Sequence, residues 1–155
     1  MVRISIISIG GFRNPWYRSL AFHYQKLLFP YARVSFRELP SESFLDGSQM
    51  ERARKREEER VLGELKKKKT GTLVLLTEQG APFDSMTFSK KVESWGSDIT
   101  FVVGGALGFN ARFLKGFRHT LSLSPMTFPH EMARVVLLEQ LYRCFTILKG
   151  KMYHY

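Results

Sequence analysis

Hydrophobic positions along the chain follow two rhythms. Val2–Ile9 (VRISIISI) is β-branched and apolar and stops at Gly10-Gly11, the pattern of a buried first strand. Asn14-Pro15 then opens a helix, with asparagine as cap and proline in the first helical position. Trp16, Leu20, His23, Tyr24, Leu27 and Leu28 recur at helical spacing until Pro30 ends it. Residues 33–39 alternate as a second strand, and 40–48 form a polar loop. Helix formers fill 49–69, but only Met50, Ala53, Val61, Leu62 and Leu65 offer an apolar face. Most of that helix is therefore expected in solvent, with Glu57, Glu58 and Glu59 pairing with Arg54, Lys55, Arg56 and Arg60 where the spacing is i,i+3 or i,i+4. A third strand over 72–76 leads to a helix capped by Asp84 or Ser85 and running to about Trp95. The fourth strand, 99–103, is nearly all apolar, as a strand covered on both faces reads. A short helix over 111–116, a fifth strand over 121–124 and an amphipathic helix over 131–148 complete the series. The last helix carries Met132, Val135, Val136, Leu138, Leu141, Tyr142 and Phe145 as its apolar positions. Five strands alternating with five helices, without repeat or linker, predict one α/β domain over residues 1–155 with a mainly parallel sheet.

Composition adds a compartment and a partner. The chain has 155 residues, 44% hydrophobic and 25% charged, which suits a packed domain. One cysteine, Cys144, excludes an internal disulfide and points to a reducing cytoplasm. No apolar run reaches the roughly 18 residues a spanning helix needs, so no membrane role is expected. The net charge is +10. Residues 51–69 carry nine basic and five acidic groups, residues 109–155 seven and two, and residues 70–108 two and four. The excess favours a polyanion such as nucleic acid over a purely solubilising role. The Lys66–Lys69 run reads equally as a solvated helix end suited to the macrodipole or as an RNA contact.

In an open parallel sheet ligands sit beyond the carboxyl ends of the strands, which directs attention to the loops after strands three, four and five. Gly104-Gly105-x-x-Gly108 follows a buried strand, as a tight turn or a phosphate-cradling loop would, but it lacks the dinucleotide spacing and a Walker lysine. His23, His119, His130 and His154 have no zinc spacing, and Cys144 lies inside an apolar helical pattern, so neither a metal site nor a thiol nucleophile is expected. Glu78 and Glu131 are the only acids near these loops. Such a poverty of acid, base and nucleophile suits a reaction whose electrophile arrives activated on a cofactor.

Three stretches carry a resemblance: Phe101-Val-Val-Gly-Gly-x-x-Gly108, Leu121-Ser-Leu-Ser-x-Met-Thr-Phe-Pro-His130, and Arg134-Val-Val-Leu-x-Glu-Gln-Leu-Tyr-Arg143 with the terminal Tyr153-His154. They resemble the RlmH family, small SPOUT-class methyltransferases that methylate N3 of a pseudouridine in 23S ribosomal RNA. The resemblance spans the chain by length and element order, and its strongest part is Thr127 to Arg143 plus the tail. It implies a SPOUT-type α/β sheet with a C-terminal trefoil knot, S-adenosylmethionine as cofactor, and a homodimer acting on 23S rRNA or the ribosome in the cytoplasm. It further implies cofactor contacts at Leu76, Gly105, Ser124, Pro125, Met126, Thr127, Phe128 and Pro129. A glycine at 105 then lets the cofactor approach the backbone closely. Arg143 and His154 are expected to hold the target nucleotide, with Tyr153 beside them in a tail that reaches the other subunit's pocket, and His130 to accept a proton. Plainer readings stand beside these: Arg143 paired with Glu139 on the helix surface, and His130 capping its own turn. Two positions depart from the family, Leu107 where a polar or acidic residue is usual and Tyr155 where the last residue is usually basic. Leu107 keeps open a non-catalytic RNA-binding protein on the same fold.

Overall fold

The structure, a computed structural model, describes residues 1–153. Five strands, β1 (Val2–Ile9), β2 (Ala32–Leu39), β3 (Thr72–Leu76), β4 (Asp98–Val103) and β5 (His119–Leu121), alternate with α1 (Pro15–Leu28), α2 (Gly47–Leu65), α3 (Ser85–Ser94), α4 (Ala111–Lys115) and α5 (His130–Leu148). They form one parallel sheet in the order β2-β1-β4-β3-β5. The pleat explains why the central strands are apolar throughout. Ile4, Ile6, Val74, Ile99 and Phe101 face a core shared with α1, α3 and α5, while Ile7, Ile9, Leu75 and Val102 face Val61 of α2 and Phe113 of α4. The order reverses between β1 and β4, because β1 connects outward to β2 and the later strands fill the other side.

Capping chemistry sets most helix starts. Asn14 Oδ1 accepts from the Trp16 N–H at 2.9 Å, Asp84 rather than Ser85 accepts from Thr87, and Asn110 Oδ1 accepts from Phe113 at 2.9 Å. Asp46 caps α2, which therefore begins at Gly47 and ends at Leu65 instead of running over 49–69.

Three expectations are corrected. The buried stripe of α1 is Tyr17, Ala21, Tyr24 and Leu28, one position round from Trp16 and Leu20, which are 77% and 45% exposed. The fifth strand covers 119–121, pairing with Val74, Leu75 and Leu76, and it stops at Leu121 because its partner β3 ends at Leu76; Ser122 makes a single bridge to Pro82. Glu57 and Glu58 are buried and do not pair along their helix. Glu58 accepts from the Asn110 backbone N–H and from its Nδ2, both at 2.6 Å, and Glu57 accepts from the Glu42 N–H at 3.0 Å. Backbone donors at the neighbouring loops out-compete flexible lysines and arginines for these carboxylates. Arg56 and Arg60 pair with Glu42 instead.

Candidate functional site

The carboxyl ends of β3, β4 and β5 open into a cleft of about 630 Å3. Leu76 and Val103 form its floor, and the segments 104–109 and 123–130 its walls. Leu76, Gly105, Ser124, Met126, Thr127, Phe128, Pro129 and His130 all line it, and Glu78, Gln79 and Leu107 join them. Pro125 is exposed and does not line it: the turn held by the Met126 N–H on Ser124 Oγ (3.0 Å) carries the proline outward. Ser122 pins the same loop from below, donating to the carbonyls of Ser124 and Glu78. The 104–109 wall is a turn closed by the Gly108 N–H on the Gly105 carbonyl, and Arg54 Nε holds the Leu107 carbonyl at 3.2 Å.

Gly105 needs its missing side chain for a reason internal to the protein. A Cβ there would come within 2.8 Å of Ile9 Cγ2, in the fully buried end of β1. The glycine lets β4 leave the sheet against β1, where the strand order reverses, and the same residue lines the cleft.

His130 opens α5 without capping it; no side chain caps that terminus, and the first turn closes by the Ala133 N–H on the Pro129 carbonyl. Its imidazole is half-buried in the cleft wall, and its Nε2 lies 3.5 Å from where Gly10 would carry a Cβ. Burial first, then the Arg134 and Arg13 cations, hold the imidazole below its ordinary pKa, against an opposing pull from Glu131. The next residue, Glu131, accepts the backbone N–H groups of Arg13 (2.6 Å) and Asn14 (3.1 Å), strapping the β1–α1 loop to α5.

Arg143 and Tyr153 come together, but not in this cleft. Arg143 lies 13 residues beyond His130, about 20 Å along the helix at 1.5 Å per residue. Its Nε and Nη2 donate to Glu139 Oε1 at 3.1 and 2.7 Å, so the ion pair weighed from sequence is present. Its guanidinium also sits 5.1 Å from the Tyr153 ring, which meets Tyr142 edge-on at 4.6 Å. Burial and a hydrogen bond with Tyr24 push the Tyr153 phenol up to about 12. His154, like Tyr155, lies outside the described residues.

Sequence reasoning missed Arg134 and Glu38. Arg134 has no exposed surface, and its Nη1 donates to Ser8 Oγ and Glu38 Oε1, both at 3.1 Å. The signal was available: Arg134 precedes Leu137, Leu138 and Leu141 at i+3, i+4 and i+7 on the buried stripe. Among the described residues no group of three His, Cys, Asp or Glu is placed to hold a metal ion, and no helix is long and apolar enough to cross a membrane.

A parallel sheet with its cleft at the strand ends, walled by a glycine turn and a backbone-rich loop, defines a cofactor-binding α/β protein. The chain belongs to the SPOUT methyltransferases: the family model described as "Predicted SPOUT methyltransferase" matches residues 2–154. It is 38% identical over 161 aligned residues to the "Ribosomal RNA large subunit methyltransferase H" of Acetivibrio thermocellus, with 99% of both chains covered. Among solved structures, a Legionella pneumophila methyltransferase in complex with its bound cofactor SAM aligns at TM-score 0.53 and 14% identity, covering 90% of this chain and 65% of that one. A methylase family protein from Haemophilus influenzae Rd KW20 aligns at TM-score 0.56 and 14% identity, covering 98% and 69%. This chain thus spans just under two thirds of the Legionella chain and slightly more of the Haemophilus one, and the two share its fold.

Proposed function

We propose that residues 1–155 work as one SPOUT domain, with the knotted C-terminal crossing of its family. In this reading it transfers a methyl group from S-adenosylmethionine to N3 of a pseudouridine in large-subunit (23S) ribosomal RNA, on the subunit or the ribosome, in the cytoplasm. The observation that carries the reading is the cleft. Its volume lies in the roughly 300–1,000 Å3 range of sites for cofactor-sized ligands. Seven of the eight positions expected to contact the cofactor line it, with His130 at its edge. The donor set fits: neutral groups of residues 124–129, the glycine turn and the apolar Leu76 suit an adenosine and a methionine moiety, and no metal is called on.

When bound, the cofactor supplies a methyl group on a positively charged sulfur, which leaves as a neutral thioether. The chain's own residues then have two tasks. His130, which burial biases toward its uncharged form, takes the N3 proton of the acceptor base as the nitrogen attacks. Leu76, Gly105 and the 124–129 loop align the donor so that nitrogen, carbon and sulfur are in line.

Arg143, Tyr153 and His154 fit a second copy of the chain. Arg143 is out of reach of its own cleft, and Trp16 and Leu20 leave an apolar face exposed on α1, which packs against α5. A homodimer covering that face brings each Arg143 and tail to the partner's cleft, where they hold the nucleotide. Cations on and after α2 that make no ion pair among the described residues (Arg52, Lys55, Lys66, Lys69) supply RNA backbone affinity.

Mass spectrometry of 23S rRNA from a strain lacking the gene is expected to show one methylpseudouridine lost and restored by the wild-type chain. Unchanged rRNA sinks the reading. Absence of S-adenosylhomocysteine binding by calorimetry leaves a non-catalytic RNA-binding protein.

A further inference from the structure

The carboxyl ends of β1 and β2, next to the cofactor cleft, hold a polar cluster that the proposed mechanism does not use. Arg134 reaches down from α5 into the sheet face and is wholly buried. Its Nη1 donates to Ser8 Oγ on β1 and to Glu38 Oε1 on β2, and its guanidinium stacks over the Phe12 ring, 3.8 Å from Cζ to centroid. Ser8 passes the contact on, donating to the Gly10 carbonyl at 3.1 Å. The two glycines of the turn are shaped to this cluster. Gly10 has φ +79° and faces His130 Nε2, and a Cβ on Gly11 would come within 2.7 Å of Glu38 Oε2. Nε and Nη2 of Arg134 have no hydrogen-bond partner among the described residues.

A buried guanidinium with two of its three nitrogens unpartnered is a poor way to fill a core. Apolar side chains of similar volume commonly replace buried ion pairs without loss of stability. The arginine therefore has a use beyond packing. It stands one helical turn after His130, on the same face, and two of the groups it grips, Ser8 and Phe12, flank the Gly10-Gly11 turn that faces the imidazole.

We propose that Arg134 is a positioning residue for methyl transfer. Through Ser8, Glu38 and Phe12 it fixes the Gly10-Gly11 turn, and that turn holds the His130 ring at the junction of the cofactor cleft and β1. The proposal rests on the reading of His130 as the proton acceptor. The charged groups around the imidazole are Arg134 and Glu131 on α5 and Arg13 on the β1–α1 loop, with Glu38 on β2 as the counter-charge of Arg134. Arg134 thus supplies both the frame and a neighbouring positive charge that disfavours a proton on His130.

Two variants test this. Arg134→Met removes the charge and the fork but keeps most of the volume. In the wild-type chain the His130 ring C–H signals, identified by their loss in His130→Gln, are followed by NMR against pH. In Arg134→Met they are expected to titrate about half a unit or more higher, and the acid limb of kcat/KM for methylation of large subunits to move with them, while S-adenosylhomocysteine still binds. Arg134→Lys keeps the charge but spans neither both oxygens nor the Phe12 face. Its His130 titration is expected to match wild type, with kcat reduced about tenfold and KM for S-adenosylmethionine unchanged. A folded Arg134→Met whose titration coincides with wild type overturns the proposal, as does Arg134→Lys with full turnover. Should Arg134→Met fail to fold, Arg134→Lys decides alone. The titration needs no acceptor RNA, so a wild-type chain that methylates nothing refutes the functional reading and is told apart from a failure of Arg134.

Discussion

Cys144 has no exposed surface in the α5 core, and burial pushes its thiol up to about 12. Since the thiolate is the reactive form, iodoacetamide at pH 8 is expected to leave the native protein unlabelled and to label it fully in denaturant; mass spectrometry reads the difference. For His130 the sign runs the other way. Burial and the neighbouring Arg134 cation lower its pKa, so the acid limb of methylation is expected below the ordinary histidine value of about 6.5. An acid limb at or above that value would remove His130 as acceptor. Gly105→Ala forces a methyl into the Ile9 side chain and is expected to cost about 1–3 kcal/mol in urea unfolding. At this scale the neutral cleft residues came from the resemblance that the 101–108 and 121–130 stretches carry, and not from their spacing, which on its own reads equally as a tight turn. Arg134 was not legible, because an arginine in an amphipathic helix reads as solvent-facing until its place on the stripe is weighed against its charge.

Among the elements, the α2–α4 junction turns on a single carboxylate. Glu58 holds both the backbone N–H and the side-chain amide of Asn110, the residue that caps α4 behind the 104–109 wall. Glu58→Ala leaves those donors unmet and is expected to destabilise the chain by about 2 kcal/mol, measured by chemical denaturation; a change under 0.5 kcal/mol would show that water replaces the carboxylate at little cost. The strands were readable because burial on both faces writes an unbroken apolar run. The starts of α1 and α3 were readable because their caps, Asn14 and Asp84, are local chemistry, whereas the Asp46 cap of α2 was hidden in a polar loop. What escaped was decided by partners distant in sequence: the end of β5 by the end of β3, the acids of α2 by loop N–H groups, and the buried stripe of α1 by α5, which selected the row one residue round from the one containing Trp16.

At the scale of the whole molecule the +10 charge is unevenly used. Arg54, Arg56 and Arg60 are committed to carboxylates, whereas Arg52, Lys55, Lys66 and Lys69 make no ion pair among the described residues. Methylation of large subunits is therefore expected to weaken with salt, each neutralised phosphate adding about 0.7–0.9 to the log–log slope of affinity. Replacing Lys55, Lys66 and Lys69 by alanine is expected to flatten that slope while leaving S-adenosylhomocysteine affinity unchanged. An unaltered slope would put the RNA contact elsewhere.

The strap from Glu131 to the N–H groups of Arg13 and Asn14 joins residues 117 and 118 positions apart. At synthesis rates of about 5–20 residues per second the turn at the end of the first strand emerges early and stays unbraced until α5, the last element of the fold, follows. The cleft wall beside His130 is thus completed only when the last helix of the fold docks on the first strand, so its assembly reports the closing of the whole chain.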